Sequence, residues 1–88
     1  MNRIEMIKEA ISDSGLYSNN QCKIVNVLLD IAINNVAQAT VRFLEEKTGV
    51  KKPTIYFALK IFQKDGLIIK NAVLMFKILI IDVLNMLY

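Results

Sequence analysis

The sequence predicts a mainly α-helical domain with one small β-hairpin, which places the fold in the α+β class. Three observations lead to this prediction. The 88 residues leave room for one domain, residues 1–88, with a single core. Apolar residues recur at helical spacing over most of the chain, with glycine or asparagine where helices should end. Two short β-rich runs, Leu67–Lys70 and Val73–Lys77, follow the last glycine.

A first helix is predicted at Asn2–Ser14. Its isoleucines, Ile4, Ile7 and Ile11, lie three and four residues apart and therefore share one face. Gly15 follows and can end the helix. The pattern is that of an amphipathic helix with one buried side.

A second helix is predicted at about Gln21–Ile33, after the polar cluster Ser18-Asn19-Asn20, which can cap it. Its apolar residues form two stripes: Ile24, Val27, Leu28 and Ile31 on one side, and Val25, Leu29 and Ala32 on another. A helix that is apolar on two sides is buried on two sides, so we expect it to be the central helix. Asn34-Asn35 ends it, and Val36–Ala39 is predicted to be a short extended connection.

Two further helices are predicted on either side of a glycine turn. Thr40 can cap a short helix at Val41–Lys47, and Gly49 supplies the left-handed residue that ends it. The next helix spans about 51–64, with Pro53 in its first turn, where a missing N–H is harmless. One face is apolar (Ile55, Ala58, Leu59, Phe62), and another is basic (Lys52, Tyr56, Lys60, Lys64). Gly66 is expected to terminate this helix.

The hairpin is predicted to turn at Asn71-Ala72, so that Lys70 and Asn71 lie at its tip. A last helix is predicted at Ile78–Tyr88, where Ile80, Val83, Leu84 and Leu87 keep helical spacing. The β-branched residues of this last segment also permit a strand.

The positive charge of the chain is concentrated in one segment. The net charge is +3, and residues 51–71 hold five lysines against Asp65 alone. A one-sided basic segment is typical of proteins that bind a polyanion, nucleic acid above all. A solvated lysine-rich helix face is the alternative interpretation.

Catalytic, metal and membrane functions are not indicated. The chain has no histidine, and its one cysteine, Cys22, has neither a histidine partner nor a second cysteine. We therefore expect no enzymatic activity, no cofactor, metal or small-molecule ligand, and a cytoplasmic location. The most apolar run, Ala72–Tyr88, is short for a membrane span and contains Lys77 and Asp82, so no membrane partner is expected.

The order of helix, short helix, glycine turn, basic helix and hairpin resembles the winged helix-turn-helix family. The matching residues are Thr40-Val41-Arg42-Phe43-Leu44, Gly49-Val50, Thr54-Ile55, Ala58-Leu59 and Gly66-Leu67-Ile68. The resemblance covers Gln38 to Phe76. It implies a winged helix-turn-helix core at 21–76, with extra helices at 1–15 and 78–88.

The resemblance also implies where DNA would bind. In that family the second helix of the motif enters the major groove and the wing touches the flanking backbone. The residues carried over are Lys51, Lys52, Pro53, Thr54, Tyr56, Phe57, Lys60, Lys64, Lys70 and Asn71. The lysines would contact phosphates, and Thr54 and Tyr56 would reach base edges. Each lysine could equally be solvated, Tyr56 could pack under the wing, and Phe57 could touch thymine methyls or a protein partner.

Three functions remain open at this point. The first is a double-stranded DNA-binding transcriptional regulator, similar to compact MarR-type or ArsR-type proteins and dimeric through its terminal helices. The homodimer is expected because 55% of the residues are apolar, more than one small core can hide. The second is a plasmid or viral replication or maintenance protein, because Thr54–Phe76 also looks like the winged helix of RepL-type plasmid initiators. The third is a protein–protein winged helix without DNA binding.

Overall fold

The computed structural model describes residues 3–72 and 75–78, which form four helices and a three-stranded antiparallel sheet. The elements are α1 Arg3–Ser14, α2 Asn19–Ile31, β1 Val36–Gln38, α3 Val41–Thr48, α4 Lys52–Lys64, β2 Ile68–Ala72 and β3 Met75–Ile78. This mainly helical chain with a small sheet confirms the predicted α+β class and has a winged-helix-like order of elements. The helix predicted at Ile78–Tyr88 lies outside the described residues, except for Ile78, which ends β3.

One hydrophobic core joins all four helices to the sheet, and α2 lies at its centre. Helix α2 packs against α1, α3, α4 and β1, as its two apolar stripes predict. Its buried residues are Ile24, Val25, Leu28 and Leu29, and α1 contributes Ile7 and Ile11. Lys8 of α1 also forms an ion pair with Asp30 of α2. Within residues 3–72 and 75–78, no helix combines the length and the apolar character that crossing a bilayer requires.

The sheet contains a strand that the sequence analysis does not predict. Val36–Gln38, expected to be a connection, pairs antiparallel with β3, and the strand order is β1-β3-β2. The strand follows a tight reversal in which Asn34 and Asn35 have φ angles of 52° and 66°. Asparagine tolerates such left-handed angles better than most residues. A three-residue strand is too short to show an alternating pattern, and its partner lies almost forty residues further along the chain.

The hairpin is longer than predicted. β2 continues through Asn71 and Ala72, so these residues belong to the strand and not to its tip. Lys70 is paired with Phe76 and Ala72 with Met75, and the register shifts between the two pairs. An irregularity of this kind accommodates an extra residue in one strand, here Asn71, and lets the pairing continue.

The buried and exposed phenylalanines of α4 provide a test of the core. Phe62→Ala is expected to lower the free energy of unfolding by about 3–5 kcal/mol, because Phe62 is fully buried. The control Phe57→Ala, on the same helix, should change it by less than about 0.5 kcal/mol, because that ring is already exposed. Urea unfolding followed by circular dichroism measures both. Equal losses for the two variants would contradict this packing.

Candidate nucleic-acid interface

A rigid turn sets the start of α4. Gly49 ends α3 with a left-handed φ of 73°, and its N–H donates to the carbonyl of Glu45 at 2.9 Å. The Thr48 hydroxyl donates to the Leu44 carbonyl at 2.6 Å and accepts from the Val50 N–H at 3.1 Å. Val50 is buried next to this turn. These contacts fix the angle between the end of α3 and the first turn of α4.

The first turn of α4 has no side-chain cap. Lys51 is the N-cap residue and its side chain forms no capping hydrogen bond, while Pro53 stands in the first turn, as predicted. By contrast, the Thr40 hydroxyl caps α3 by accepting from the N–H of Phe43 at 2.9 Å. The N–H groups at the start of α4 therefore receive no side-chain acceptor from the capping residue.

The end of α4 is equally well defined. The N–H of Leu67 donates to the Phe62 carbonyl at 2.9 Å, and the N–H of Gly66 donates to the Gln63 carbonyl at 3.2 Å. Gly66 has a φ of 81°, so the pair of bonds forms a Schellman motif. Leu67 and Phe62 are both buried, which gives the motif its usual apolar contact. Gly66 thus ends the helix, as predicted, and β2 begins two residues later.

Tyr17 attaches the C-terminal end of α4 to the loop between α1 and α2. Its hydroxyl donates to the Asp65 carboxylate at 3.0 Å, and its ring meets Phe62 edge-on, with 5.5 Å between centroids. Burial, followed by the hydrogen bond and the negative charge of Asp65, raises the pKa of Tyr17 above its usual range. The one acidic residue of the basic segment is therefore engaged with a neutral phenol.

The structure places the predicted DNA-binding residues on the surface. Those of α4 and its N-cap are exposed: Lys51, Lys52, Pro53, Thr54, Tyr56, Phe57, Lys60 and Lys64. Lys70 is exposed on β2, and Asn71 lies in the same strand. The opposite side of α4 is buried through Ile55, Ala58, Leu59 and Phe62, so the predicted two-sided helix is confirmed. The individual roles of the exposed residues stay predictions.

The exposed lysines have no acidic partners within the described part of the chain. The ion pairs found there are Lys8 with Glu5 and Asp30, and Arg42 with Glu46. None of them involves Lys51, Lys52, Lys60, Lys64 or Lys70. The face keeps its positive charge, which is the condition for attracting an anion.

A groove that the sequence analysis misses lies beside α4. Tyr56, Phe57 and Lys60 line one side, and Lys70 of β2 and Phe76 of β3 are also in its lining. The remaining lining residues are Ala39, Val41, Leu44, Leu59 and Gln63, and the volume is about 620 Å³. In the sequence, the neighbouring aromatic residues of α4 were the available sign of this groove. The groove itself was not predictable, because it forms only when the sheet, which is distant in sequence, packs beside α4.

Comparison with known proteins identifies a protein family that the chain resembles. The sequence model of a family described as Firmicute plasmid replication protein (RepL) matches residues 4–82. The matched range includes nearly all of α1 and the elements from α2 to β3, and so contains the whole candidate interface. No curated protein and no solved structure shows a significant match to the chain.

The raised pKa of Tyr17 predicts a loss of stability in alkali. In the unfolded chain the phenol loses its proton near its ordinary pKa of 10.0, but the folded chain holds the proton to higher pH. Deprotonation therefore favours the unfolded state as the pH rises above about 10. Between about pH 9 and about pH 11, the unmodified chain should lose more free energy of unfolding than Tyr17→Phe. Urea unfolding over this range measures the difference, and parallel pH curves would contradict it.

Proposed function

The chain belongs to the family of Firmicute plasmid replication proteins (RepL), and we propose that it acts in plasmid replication by binding double-stranded DNA through α4. The match favours the replication alternative over the transcriptional regulator, because the description of the matched family names plasmid replication. It also makes the protein–protein winged helix without DNA contact the least favoured of the three functions.

The observation that carries this proposal is the uncompensated basic face. Five lysines of the segment 51–71 are exposed, and the acidic group of that segment, Asp65, accepts a hydrogen bond from Tyr17. Lysine side chains neutralise phosphates and release the counterions condensed on DNA, which gives affinity that is independent of sequence. Lys60 lies eight residues after Lys52, and Lys64 lies four residues after Lys60. This spacing places all three along a single side of α4.

The start of α4 is the part that we propose to enter the major groove. Thr54 and Tyr56 are exposed near it and have hydroxyls that can hydrogen-bond to base edges. The N–H groups of the first turn have no side-chain cap, and the helix dipole favours an anion there. Lys70, on β2, would contact the flanking backbone from the wing. In this proposal the chain binds DNA and catalyses nothing.

Homodimerisation is part of the proposal, with one change in where it would occur. Ile7 and Ile11 of α1 are buried in the core of their own chain, so this apolar stripe is not available for contact with a second copy. Helix α1 therefore offers a second copy little beyond its exposed Met6. The C-terminal segment predicted at 78–88 lies outside the described residues from residue 79 onward, and we propose that its apolar sequence supplies most of the contact between the two chains.

The salt dependence of binding tests the basic face. For a random-sequence duplex, Lys52→Ala/Lys60→Ala should flatten the slope of log affinity against log salt by about 1.8 per chain, at roughly 0.9 for each phosphate contact. The control Arg3→Ala/Lys23→Ala removes the same charge from exposed positions on α1 and α2 and should keep the original slope. Fluorescence anisotropy at several salt concentrations measures both. The same slope in all three proteins would exclude these lysines from the contact.

The position of the binding site on DNA separates replication from transcription. A plasmid replication protein should protect repeats within the replication origin, whereas a regulator should protect a promoter. A dimer should protect paired half-sites whose centres are about 10 base pairs apart or a multiple of this. Nuclease footprinting over the whole plasmid measures the sites. Protection confined to promoters outside the origin would favour the regulator instead.

A further inference from the structure

Two neighbouring aromatic rings, those of Tyr56 and Phe57, are exposed in the groove beside α4. Contacts to phosphate groups do not account for them. Tyr56 is 62% exposed and Phe57 is 61% exposed, whereas Phe62 on the same helix is fully buried. Both exposed rings line the groove. Aromatic rings gain much free energy when a flat apolar surface covers them, and they prefer stacked or edge-on partners. The groove therefore suits a ligand with flat faces.

The charges of the groove restrict the ligand further. Lys60 and Lys70 line it, and no acidic side chain occurs among its described lining residues. If two copies of the chain met through this face, lysines would approach lysines, and like charges would oppose the contact. An uncharged apolar segment of a protein would leave both ammonium groups without partners. A ligand that alternates flat rings with negative charges satisfies both features of the groove.

Nucleic acid has both of these features, but its base faces are free only where the bases are unpaired. In a duplex the faces of the bases are stacked on one another and are closed to protein side chains. In a single strand the faces are free, and aromatic residues flanked by cations are the usual means of binding it. The groove volume of about 620 Å³ is also within the range of sites that enclose small organic groups.

We propose that Tyr56 and Phe57 stack on unpaired bases of single-stranded DNA, whose phosphates lie against Lys60 and Lys70. This inference rests on the proposed function, since stacking requires that the chain binds DNA. It adds single-stranded DNA as a second form of DNA that binds at the same face. Lys60 contributes to both forms. The rings of Tyr56 and Phe57 contribute to the single strand, whereas the hydroxyl of Tyr56 is the group proposed to reach base edges of the duplex. A protein that binds open strands favours strand opening by mass action.

The test compares two labelled DNA probes: an oligothymidylate, which forms no duplex, and a random-sequence duplex of equal length. Tyr56→Ala and Phe57→Ala should each weaken binding of the oligothymidylate roughly 5- to 150-fold, the range found when a stacking ring is removed. The ratio of single-strand to duplex affinity should fall accordingly. Tyr56→Phe keeps the ring and should keep the affinity for the oligothymidylate. Ile69→Ala, at an exposed position of β2 outside the groove lining, is the matched control.

Tyrosine fluorescence gives a second readout, because the chain has no tryptophan. The ring of Tyr17 is half-buried against Phe62, whereas the ring of Tyr56 is exposed, and a Tyr88→Phe background removes the third tyrosine from the signal. Stacking of a base on Tyr56 should quench its emission as oligothymidylate is added. Tyr56→Phe should lose most of this quenching while anisotropy still reports binding, which separates stacking from a structural effect.

The outcomes distinguish the two proposals. If the duplex binds but the affinity ratio is the same in Tyr56→Ala, Phe57→Ala and the unmodified chain, the stacking site is overturned and the proposed function stands. If the unmodified chain binds the duplex but not the oligothymidylate, the result is equally against stacking. If neither probe binds, both proposals fail together. Circular dichroism of each variant confirms that the fold is retained.

Discussion

The burial of one side of α4 is the constraint on which the rest of the structure depends. Ile55, Ala58, Leu59 and Phe62 are enclosed by α2, α3 and the sheet, so the helix cannot rotate without exposing them. Fully burying a side chain such as Phe or Leu is worth about 1.5–3 kcal/mol. The glycine turn at one end and the Schellman motif at the other fix where the helix begins and stops. The opposite side of α4 is therefore held in one orientation toward solvent.

The charge arrangement follows from this orientation. Within the described structure the lysines of α4 form no ion pair, because Asp65 hydrogen-bonds to Tyr17, and Glu5 and Glu46 pair with Lys8 and Arg42. Lysines on one face repel each other, which a bound polyanion would relieve. The same face carries the exposed rings of Tyr56 and Phe57. Positive charge combined with exposed aromatic rings is more typical of a nucleic-acid-binding surface than of a solvated helix face.

Local signals made much of the fold predictable. The caps at Ser18 and Thr40, the glycine turn and the apolar stripe of α4 each involve residues a few positions apart, and the structure confirms them. Strand β1 and the groove were not predictable, because both depend on β3, which is distant in sequence. The end of β2 was misplaced because a shift in register is invisible without its partner strand. The basic segment was readable from charge alone. The resemblance of Thr54–Phe76 offered the plasmid replication family only as one alternative, and the match over residues 4–82 was needed to favour it.

The central claim is that the exposed side of α4 is the surface that meets DNA. Amide chemical-shift mapping by NMR, with a short duplex added in steps, tests it most directly. The account predicts that the first and largest changes fall on residues 51–64 and on Lys70, with small changes in α1. Changes concentrated in α1 and α2, with residues 51–64 unaffected, would contradict it.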